Sequence, residues 1–539
     1  MFEVTIQFFW WGYVAFVWFT HALAKVATRS CEQSNPDFFS QPKTKTNPQT
    51  LQKMAACLGG ALNQMVSLGL ADGVLTADPA ITYWRHVIKR YTNFALEAHD
   101  LDFTQGQAQF GANPSCNLDR IGDLVYWMYV RINLPGIGYA QSGAIVDPGQ
   151  AVDGVGIEPY WTHAVGQAAI EQANFFIGGQ CIDEIMGEFM YIWEELSGAP
   201  GKRLAEMTGK FDAILSLQIL SRQPRILYVP LYFWFTLNSG LALPLVSLQF
   251  HSVKVSVKFR PLLSLLKLTV GALDTPNNFT LANIQNRALY RPTYYSGAAQ
   301  PVGDLTALTN TSMTAQILVT YVYLDQNERA KFAEGAFESV IPQHQSQVIT
   351  AQQTVSTVKA VGSNQISSID LNFNHTVMEL FWVVRLSVHD AYSATTTPPT
   401  NMYNEWFNFA GPNDFVTTLP IDPVSSVRLL LNNANRWEAR EGRYFRLVQP
   451  FQHHTNVPDK FIYCYSFALQ PQDIQPSGTC NFSRIDSTKL EITLDGRVFY
   501  GPTDVSGTDS NNSVSILVYA RSWNVLRFKY GLGGTRFAN

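Results

Sequence analysis

Along the chain, apolar and polar residues alternate with a period of two in several stretches, the spacing of a strand with one buried face. Val253, Val255, Val257 and Phe259 alternate with Lys254, Ser256 and Lys258, leaving one wet face. Ile317, Val319, Tyr321 and Tyr323 repeat the pattern with Leu318 and Val322 apolar as well. Val427, Leu429 and Leu431 follow it later, as do Val514, Ile516 and Val518. Leu380 to Val384 and Phe461 to Leu469 are apolar on both faces, which fits strands that meet a second sheet on one side and a partner or a loop on the other. Turn clusters separate these runs: Asn113-Pro114-Ser115, Asp147-Pro148-Gly149, Thr275 to Asn278, Thr395 to Pro399, Gln475 to Gly478 and Ser506 to Ser513. Helical signal is sparse. Ile185 to Met207 has room for a short helix or two, broken by Gly198-Ala199-Pro200-Gly201. Many short strands with frequent turns predict an all-β chain of sandwiches or jelly rolls.

A length of 539 residues exceeds one compact core. Residues 286–310 are rich in Tyr, Pro, Gly, Ala and Asn and have no sustained periodicity. A boundary there leaves about 230 residues on either side, each the size of one decorated sandwich. The expected division is 1–53, 54–290, a linker at 291–310, and 311–539. Two β domains of similar size hint at duplication, although no internal repeat is visible.

Composition sharpens the picture. Charged residues are only 15% of the chain while hydrophobic ones are 46% and aromatics 13%. Ordinary soluble proteins carry roughly 25% charge. Such a chain has little surface of its own to keep wet, which implies that other subunits cover much of it. The net charge of −4, from 38 basic and 42 acidic residues, excludes the basic face or tail of a nucleic-acid binder. It also keeps repulsion small between identical packed subunits. The six cysteines, Cys31, Cys57, Cys116, Cys181, Cys464 and Cys480, are scattered without metal-ligand spacing and read as small buried hydrophobes.

The N-terminus stands apart. Val4 to Thr20 has no formal charge and contains Phe8, Phe9, Trp10, Trp11, Phe16, Trp18 and Phe19. About 20 apolar residues span a bilayer, so this is a candidate membrane-facing segment. Glu3 ahead of it is the wrong sign for a signal peptide. Ser30 to Lys53 reads as a polar linker. Met54 also looks like a natural start, which makes an upstream extension the competing account of residues 1–53.

Catalytic constellations do not emerge. The sequence has no phosphate-binding G-x-x-x-x-G-K-[ST] loop, no G-x-S-x-G elbow and no H-E-x-x-H. His453 and His454 are adjacent, so on a strand they point to opposite faces, and loop histidines held by hydrogen bonds are the simpler reading. Glu194 and Glu195 read as a solvated helix face. Gly531-Leu532-Gly533-Gly534 reads as a turn that packs closely, not a phosphate loop. Catalytic, cofactor-binding and metal residues are therefore expected to be absent. Five N-x-[ST] sequons occur. Asn278, Asn310, Asn374 and Asn511 are candidate glycan acceptors, while Asn481 lies inside a longer motif.

Three stretches carry a resemblance. The first is Gly59-Gly60-Ala61-Leu62-Asn63-Gln64-Met65-Val66, with Asp78-Pro79-Ala80-Ile81-Thr82-Tyr83-Trp84 and Arg90-Tyr91-Thr92-Asn93-Phe94-Ala95-Leu96-Glu97. The second is Gly240-Leu241-Ala242-Leu243-Pro244-Leu245 with Leu248-Gln249-Phe250-His251-Ser252-Val253. The third runs from Arg440-Glu441-Gly442-Arg443-Tyr444-Phe445 through Gln449-Pro450-Phe451-Gln452-His453-His454-Thr455 to Gln475-Pro476-Ser477-Gly478-Thr479-Cys480-Asn481-Phe482-Ser483-Arg484-Ile485-Asp486. From about Met54 to Asn539 the chain resembles the major capsid proteins of the nucleocytoplasmic large DNA viruses. It departs at Met65, where Leu is usual, at Asp78, where Asn is usual, and at Ala80, where Gln is usual.

The resemblance implies two tandem eight-stranded antiparallel jelly rolls, a double jelly roll with loop insertions and a few short helices. It implies a homotrimer of near-hexagonal outline that tiles an icosahedral virion shell assembled in the host cytoplasm, beside neighbouring capsomers and penton and minor capsid proteins. An inner viral membrane beneath the shell would give residues 1–25 something to meet. No cofactor and no direct nucleic-acid contact are implied. The trimer contact should be of the obligate class, above about 2,000 Å². Long loops such as Pro135 to Tyr160 and Ala391 to Asn413 are expected to form outward towers and clasps. A carbohydrate-binding β-sandwich is the main rival; it leaves the third motif unexplained.

Overall fold

The computed structural model describes residues 60–79, 83, 90–137, 158–199, 201–202, 204–221, 223–269, 312–351, 365–386, 404–411, 420–499 and 514–537. Residues 1–53, with the aromatic run from Phe8 to Phe19, lie outside this set, as do Asn278, Asn310 and Asn511. Residues up to Tyr91 form one unit, whose Leu70–Thr76 helix opens where the Gly69 amide donates to Asp72 Oδ2 at 2.8 Å. Thr92–Asn539 forms the other unit and holds the two rolls.

The first roll is built from β1 (Phe94–Leu101), β2 (Ser115–Asn117), β3 (Leu124–Leu134), β4 (Ile170–Ile177), β5 (Gln180–Met186), β6 (Arg225–Pro230), β7 (Val253–Phe259) and β8 (Thr314–Leu324). Its two sheets run β1-β8-β3-β6 and β2-β7-β4-β5. The second roll follows with β9 (Phe337–Ala351), β10 (Gln365–Asp370), β11 (Thr376–Leu386), β12 (Val424–Leu431), β13 (Ala434–Glu441), β14 (Tyr463–Ser466), β15 (Thr488–Leu494) and β16 (Val514–Lys529). Its sheets run β9-β16-β11-β14 and β10-β15-β12-β13. Counted from its own first strand, each roll has the order 1-8-3-6 facing 2-7-4-5, and every pairing is antiparallel. This is the duplication that no sequence repeat revealed, and it is a double jelly roll.

The pairing corrects the expected boundary. Thr314–Leu324, assigned to the second half, lies between β1 and β3, with Leu96 opposite Val322 and Val130 opposite Ile317. The Gly/Ala/Asn-rich stretch before it therefore separates the seventh and eighth strands of one roll. It marks an insertion rather than a domain edge; the edge falls after Leu324, where the helix Gln326–Glu334 begins.

Other expectations shift in detail. Val253–Phe259 is a strand as predicted, but Ser256 is buried, so its polar face is only partly wet. Ser256 Oγ donates to Asn113 Oδ1 at 2.8 Å. The Phe461 to Leu469 strand shrinks to Tyr463–Ser466 because Phe467 and Ala468 turn away toward the third motif. Helices are more frequent than the sequence implied, including Ile214–Ser221 and Gln326–Glu334. Within Ile185 to Met207, Ile185 and Met186 finish β5. Gly187–Ser197 and Ala205–Thr208 are helices on either side of the predicted break.

Candidate functional site

The most elaborate side-chain arrangement lies at the seam between the rolls. Strands β11 and β16 of the second roll are buried on both faces. Leu380, Trp382, Val384, Ile516, Val518 and Ala520 point into that roll's own core. Phe381, Val383, Leu517 and Tyr519 point the other way, into a cluster continuous with the first roll. The covering element is the helix Gly187–Ser197, which follows β5. Phe189 and Trp193, four residues apart on one face of it, meet Phe381 at ring-centroid distances of 5.8 and 6.5 Å. Tyr191 stacks on Phe407 at 4.2 Å with an interplanar angle of 7°. The described part of the Ala391 to Asn413 loop thus turns inward, with Phe407 and Phe409 buried, and does not form an outward tower.

Three buried charges meet in this seam. Glu188 Oε1 accepts from Arg260 Nη2 at 2.6 Å and from Arg385 Nη1 at 3.0 Å. Glu188 and Arg260 come from the first roll and Arg385 from the second. Burial by itself pushes the Glu188 carboxyl up; the Arg260 and Arg385 guanidiniums outweigh it and hold the group below its ordinary value. The Trp406 ring stacks against both arginines, with centroids 4.0 Å from Arg260 Cζ and 4.9 Å from Arg385 Cζ. Asp183 Oδ1 accepts from the His344 backbone amide at 2.9 Å across the same seam, and Gln343 Nε2 donates to the Ile182 carbonyl. A second buried ion pair joins Arg521 Nη1 to Glu379 Oε1 at 2.6 Å. The Arg521 guanidinium lies over Trp193 at 4.0 Å. An open cleft of about 540 Å³ beside it is lined from both rolls, by Trp193, Leu237, Pro342, Asp473, Arg521 and Trp523 among others.

The residues singled out from sequence take structural places. His453 ends the helix Gln449–His453, and its Nδ1 lies 3.0 Å from the Leu469 carbonyl. His454 is buried, its Nε2 3.3 Å from Glu379 Oε2, and burial lowers its pKa. Both therefore sit at a helix end, not on a strand, and His454 Nδ1 lies 3.1 Å from Gln472 Nε2. Glu194 overturns the solvated-face reading: it is buried, accepting from Gln167 Nε2 at 2.5 Å and Lys210 Nζ at 3.3 Å. Lys210 also pairs with Glu195 at 3.0 Å. Cys116 and Cys464 are buried as expected, and burial followed by the Asp119 carboxylate pushes the Cys116 thiol up to about 11. Cys181 is exposed on the β4–β5 hairpin, contrary to expectation, because that hairpin ends at the surface. Asn374 is exposed, and its backbone is fixed by Gln345 on both sides, at 2.8 Å each way.

The terminal glycine turn packs closely, as the sequence implied. Gly531 has φ of +77° and an added Cβ would meet Phe250 at 2.6 Å. The Phe250 amide donates to the Gly531 carbonyl at 3.0 Å, so the second motif and the chain's end lock together. Among the described residues, no group of three His, Cys, Asp or Glu side chains is placed to hold a metal ion. No described helix is long and apolar enough to cross a membrane.

Comparisons with known proteins agree with this architecture. Residues 82–325 match a family described as the major capsid protein N-terminus, and residues 328–534 match the large eukaryotic DNA virus major capsid protein family. The two matches divide where β8 ends and the second roll begins. The major capsid protein of Phaeocystis pouchetii virus is 30% identical over 89% of this chain and all of that protein. Among solved structures, that of PBCV-1 VP54 superposes with a TM-score of 0.59 at 26% identity, covering 85% of this chain and all of that one. The Faustovirus major capsid protein superposes with a TM-score of 0.55 at 13% identity, covering 91% of this chain and all of that one.

Proposed function

Because the chain belongs to the major capsid proteins of large eukaryotic DNA viruses, a structural family of the virion shell, we propose that three copies associate into one capsomer of near-hexagonal outline. The observation that carries this reading is the repeat of one strand order twice in a single chain. Two similar rolls per chain give six per trimer, so a threefold assembly acquires a sixfold outline that can tile a closed shell. The buried seam supports it: a sixfold outline needs the two rolls of each chain held at one fixed angle, and directional charge pairs hold an angle better than apolar contact alone.

In this reading the chain performs no catalysis, and its work is association. Capsomers meet their neighbours through contacts that are individually weak and strong in number. Penton and minor capsid proteins are the other partners of the shell, and an inner membrane is the partner of residues 1–25. Assembly takes place in the host cytoplasm. Asn374 is the candidate glycan acceptor that the described surface leaves accessible. The test is light scattering behind size exclusion on the full chain. A mass three times that of the chain is the expected result, and a folded monomer at micromolar concentration would overturn the capsomer reading.

A further inference from the structure

The cleft beside the Arg521–Glu379 pair gathers polar groups that the fold leaves unengaged. It opens between the end of the seam helix, the Leu237 to Leu241 connection of the first roll and the Gln472 to Gln475 loop of the second. Asn238 Oδ1 accepts from the Gly240 amide at 2.7 Å, but its Nδ2 donates to no described residue. The Asp473 carboxylate, the Gln475 amide and the Trp523 indole N–H likewise have no partner among the described residues. Arg521 is 2% exposed. Its Nη1 donates to Glu379 Oε1 at 2.6 Å and to the Pro471 carbonyl at 3.3 Å, while its Nε is buried with no acceptor. A buried donor left unmatched is costly, and native structures keep few of them.

We propose that this cleft binds a neutral carbohydrate of one or two rings, a binding site that adds to the structural role and does not depend on the number of copies in the capsomer. Its volume of about 540 Å³ falls among small-ligand sites, which span roughly 300–1,000 Å³. Charge selects a neutral ligand. Arg521 is the one cation among the described residues lining the cleft, and Glu379 already matches it. Asp473 then leaves an unbalanced negative charge, which disfavours an anion. The unengaged groups are mixed in kind: Asn238 Nδ2, Trp523 Nε1 and Arg521 Nε donate, the Asp473 carboxylate accepts, and the Gln475 amide does both. A sugar ring answers such a set, because its hydroxyls donate and accept beside apolar C–H faces. Leu237, Ile474 and the Trp523 ring supply apolar surface for those faces. A peptide backbone finds no ladder to join here. Trp523 is paired on both sides, opposite Pro342 of β9 and Thr376 of β11, and Pro342, which also lines the cleft, has no N–H.

Titration of the full chain with maltose, cellobiose, lactose and diacetylchitobiose, read by tryptophan fluorescence and by thermal melting, tests the proposal. Saturable binding of at least one of these sugars is expected, with a dissociation constant of about 1 mM and a melting temperature that rises with sugar concentration. Asp473→Ala and Gln475→Ala remove exposed side chains that hold nothing in the fold. Both variants should melt like the wild type without sugar and bind about tenfold more weakly. Asp473→Asn keeps an acceptor oxygen in place and should bind more tightly than Asp473→Ala. Binding that neither alanine weakens puts the sugar elsewhere and overturns the site. Failure of all four sugars to saturate overturns the proposal. A preference for sialyllactose over lactose, or for a lysine peptide over every sugar, overturns the neutral class of ligand.

Discussion

Truncating Phe189 to alanine measures how tightly the rolls are joined. Phe189 is 1% exposed. Its ring centroid lies 4.7 Å from His344, 5.6 Å from Tyr519, 5.8 Å from Phe381 and 6.2 Å from Trp193. Deleting a buried phenylalanine ring costs about 3–5 kcal/mol, with the spread set by how far the surroundings close in on the void. Here His344, Tyr519 and Phe381 sit on β9, β16 and β11, three strands of one hydrogen-bonded sheet. They cannot move inward separately, so the loss belongs in the upper part of the range, at about 4–5 kcal/mol. Equilibrium urea unfolding of Phe189→Ala, followed by tryptophan fluorescence and far-ultraviolet circular dichroism, reads it as a lower midpoint at unchanged slope. Leu469→Ala, at an exposed aliphatic side chain, is the control and should stay within about 0.5 kcal/mol. A loss below about 1.5 kcal/mol for Phe189→Ala would refute the idea that both rolls enclose this ring.

Three further outcomes follow from buried groups. Arg521→Met leaves the fully buried Glu379 without its arginine and should cost about 3–5 kcal/mol; adding Glu379→Gln should return much of it, and independent losses in a double-mutant cycle would contradict the pairing. Gly187→Ala places a methyl group 2.0 Å from the Ile170 carbonyl oxygen, so the start of the seam helix has to shift. A loss of about 3 kcal/mol or more in the same urea assay is expected, and a neutral result would contradict that approach. His163 and His454 are buried with pKa values lowered from the ordinary 6.5, first by burial. Below pH 6.5 the unfolded chain therefore binds more protons than the folded one. Their contribution to stability is full above that pH and declines as the pH falls toward the folded values. Replacing both with glutamine should flatten that part of the midpoint-against-pH curve, and an unchanged slope would refute the assignment.

The strands were legible wherever one face is wet, because Val253 to Phe259 writes its period of two in lysine and valine. The duplication was not legible, since topology is carried by pairing partners distant in sequence: β8 meets β1 across more than two hundred residues. The boundary was misplaced for a related reason, as composition reports loops and a loop inside a roll looks like one between rolls. The seam charges left one trace that went unread. Glu379 and Arg385 interrupt the otherwise apolar run Val377 to Leu386, and Arg521 directly follows the apolar run Ile516 to Ala520, in a chain that is only 15% charged. A charge in such a place has to be paired, because an unpaired one costs too much to bury. Glu188 and Glu194 hid differently, in a short helix whose acidic residues resemble any solvated face until packing surrounds them.

The two rolls share a topology yet differ in what they cover, and that difference has a physical logic. The outer sheet face of the second roll is covered as soon as the chain folds, so Phe381, Val383, Leu517 and Tyr519 lie dry on it and its charges, Arg385, Glu379 and Arg521, are buried in pairs. The matching face of the first roll leaves Leu96, Trp127 and Ile226 exposed. It mixes Leu96 and Ile226 with Asp100, Arg131 and Gln316, where Gln316 Nε2 donates to Asp102 at 2.8 Å. Permanent contacts tolerate dry, apolar surfaces, whereas contacts made after folding are held to a mixed composition by the need to avoid indiscriminate sticking. Strands that are apolar on both faces therefore mark the seam made within the chain. Strands half apolar and half charged on an exposed sheet are where the proposed capsomer reading has to look for its contacts between chains.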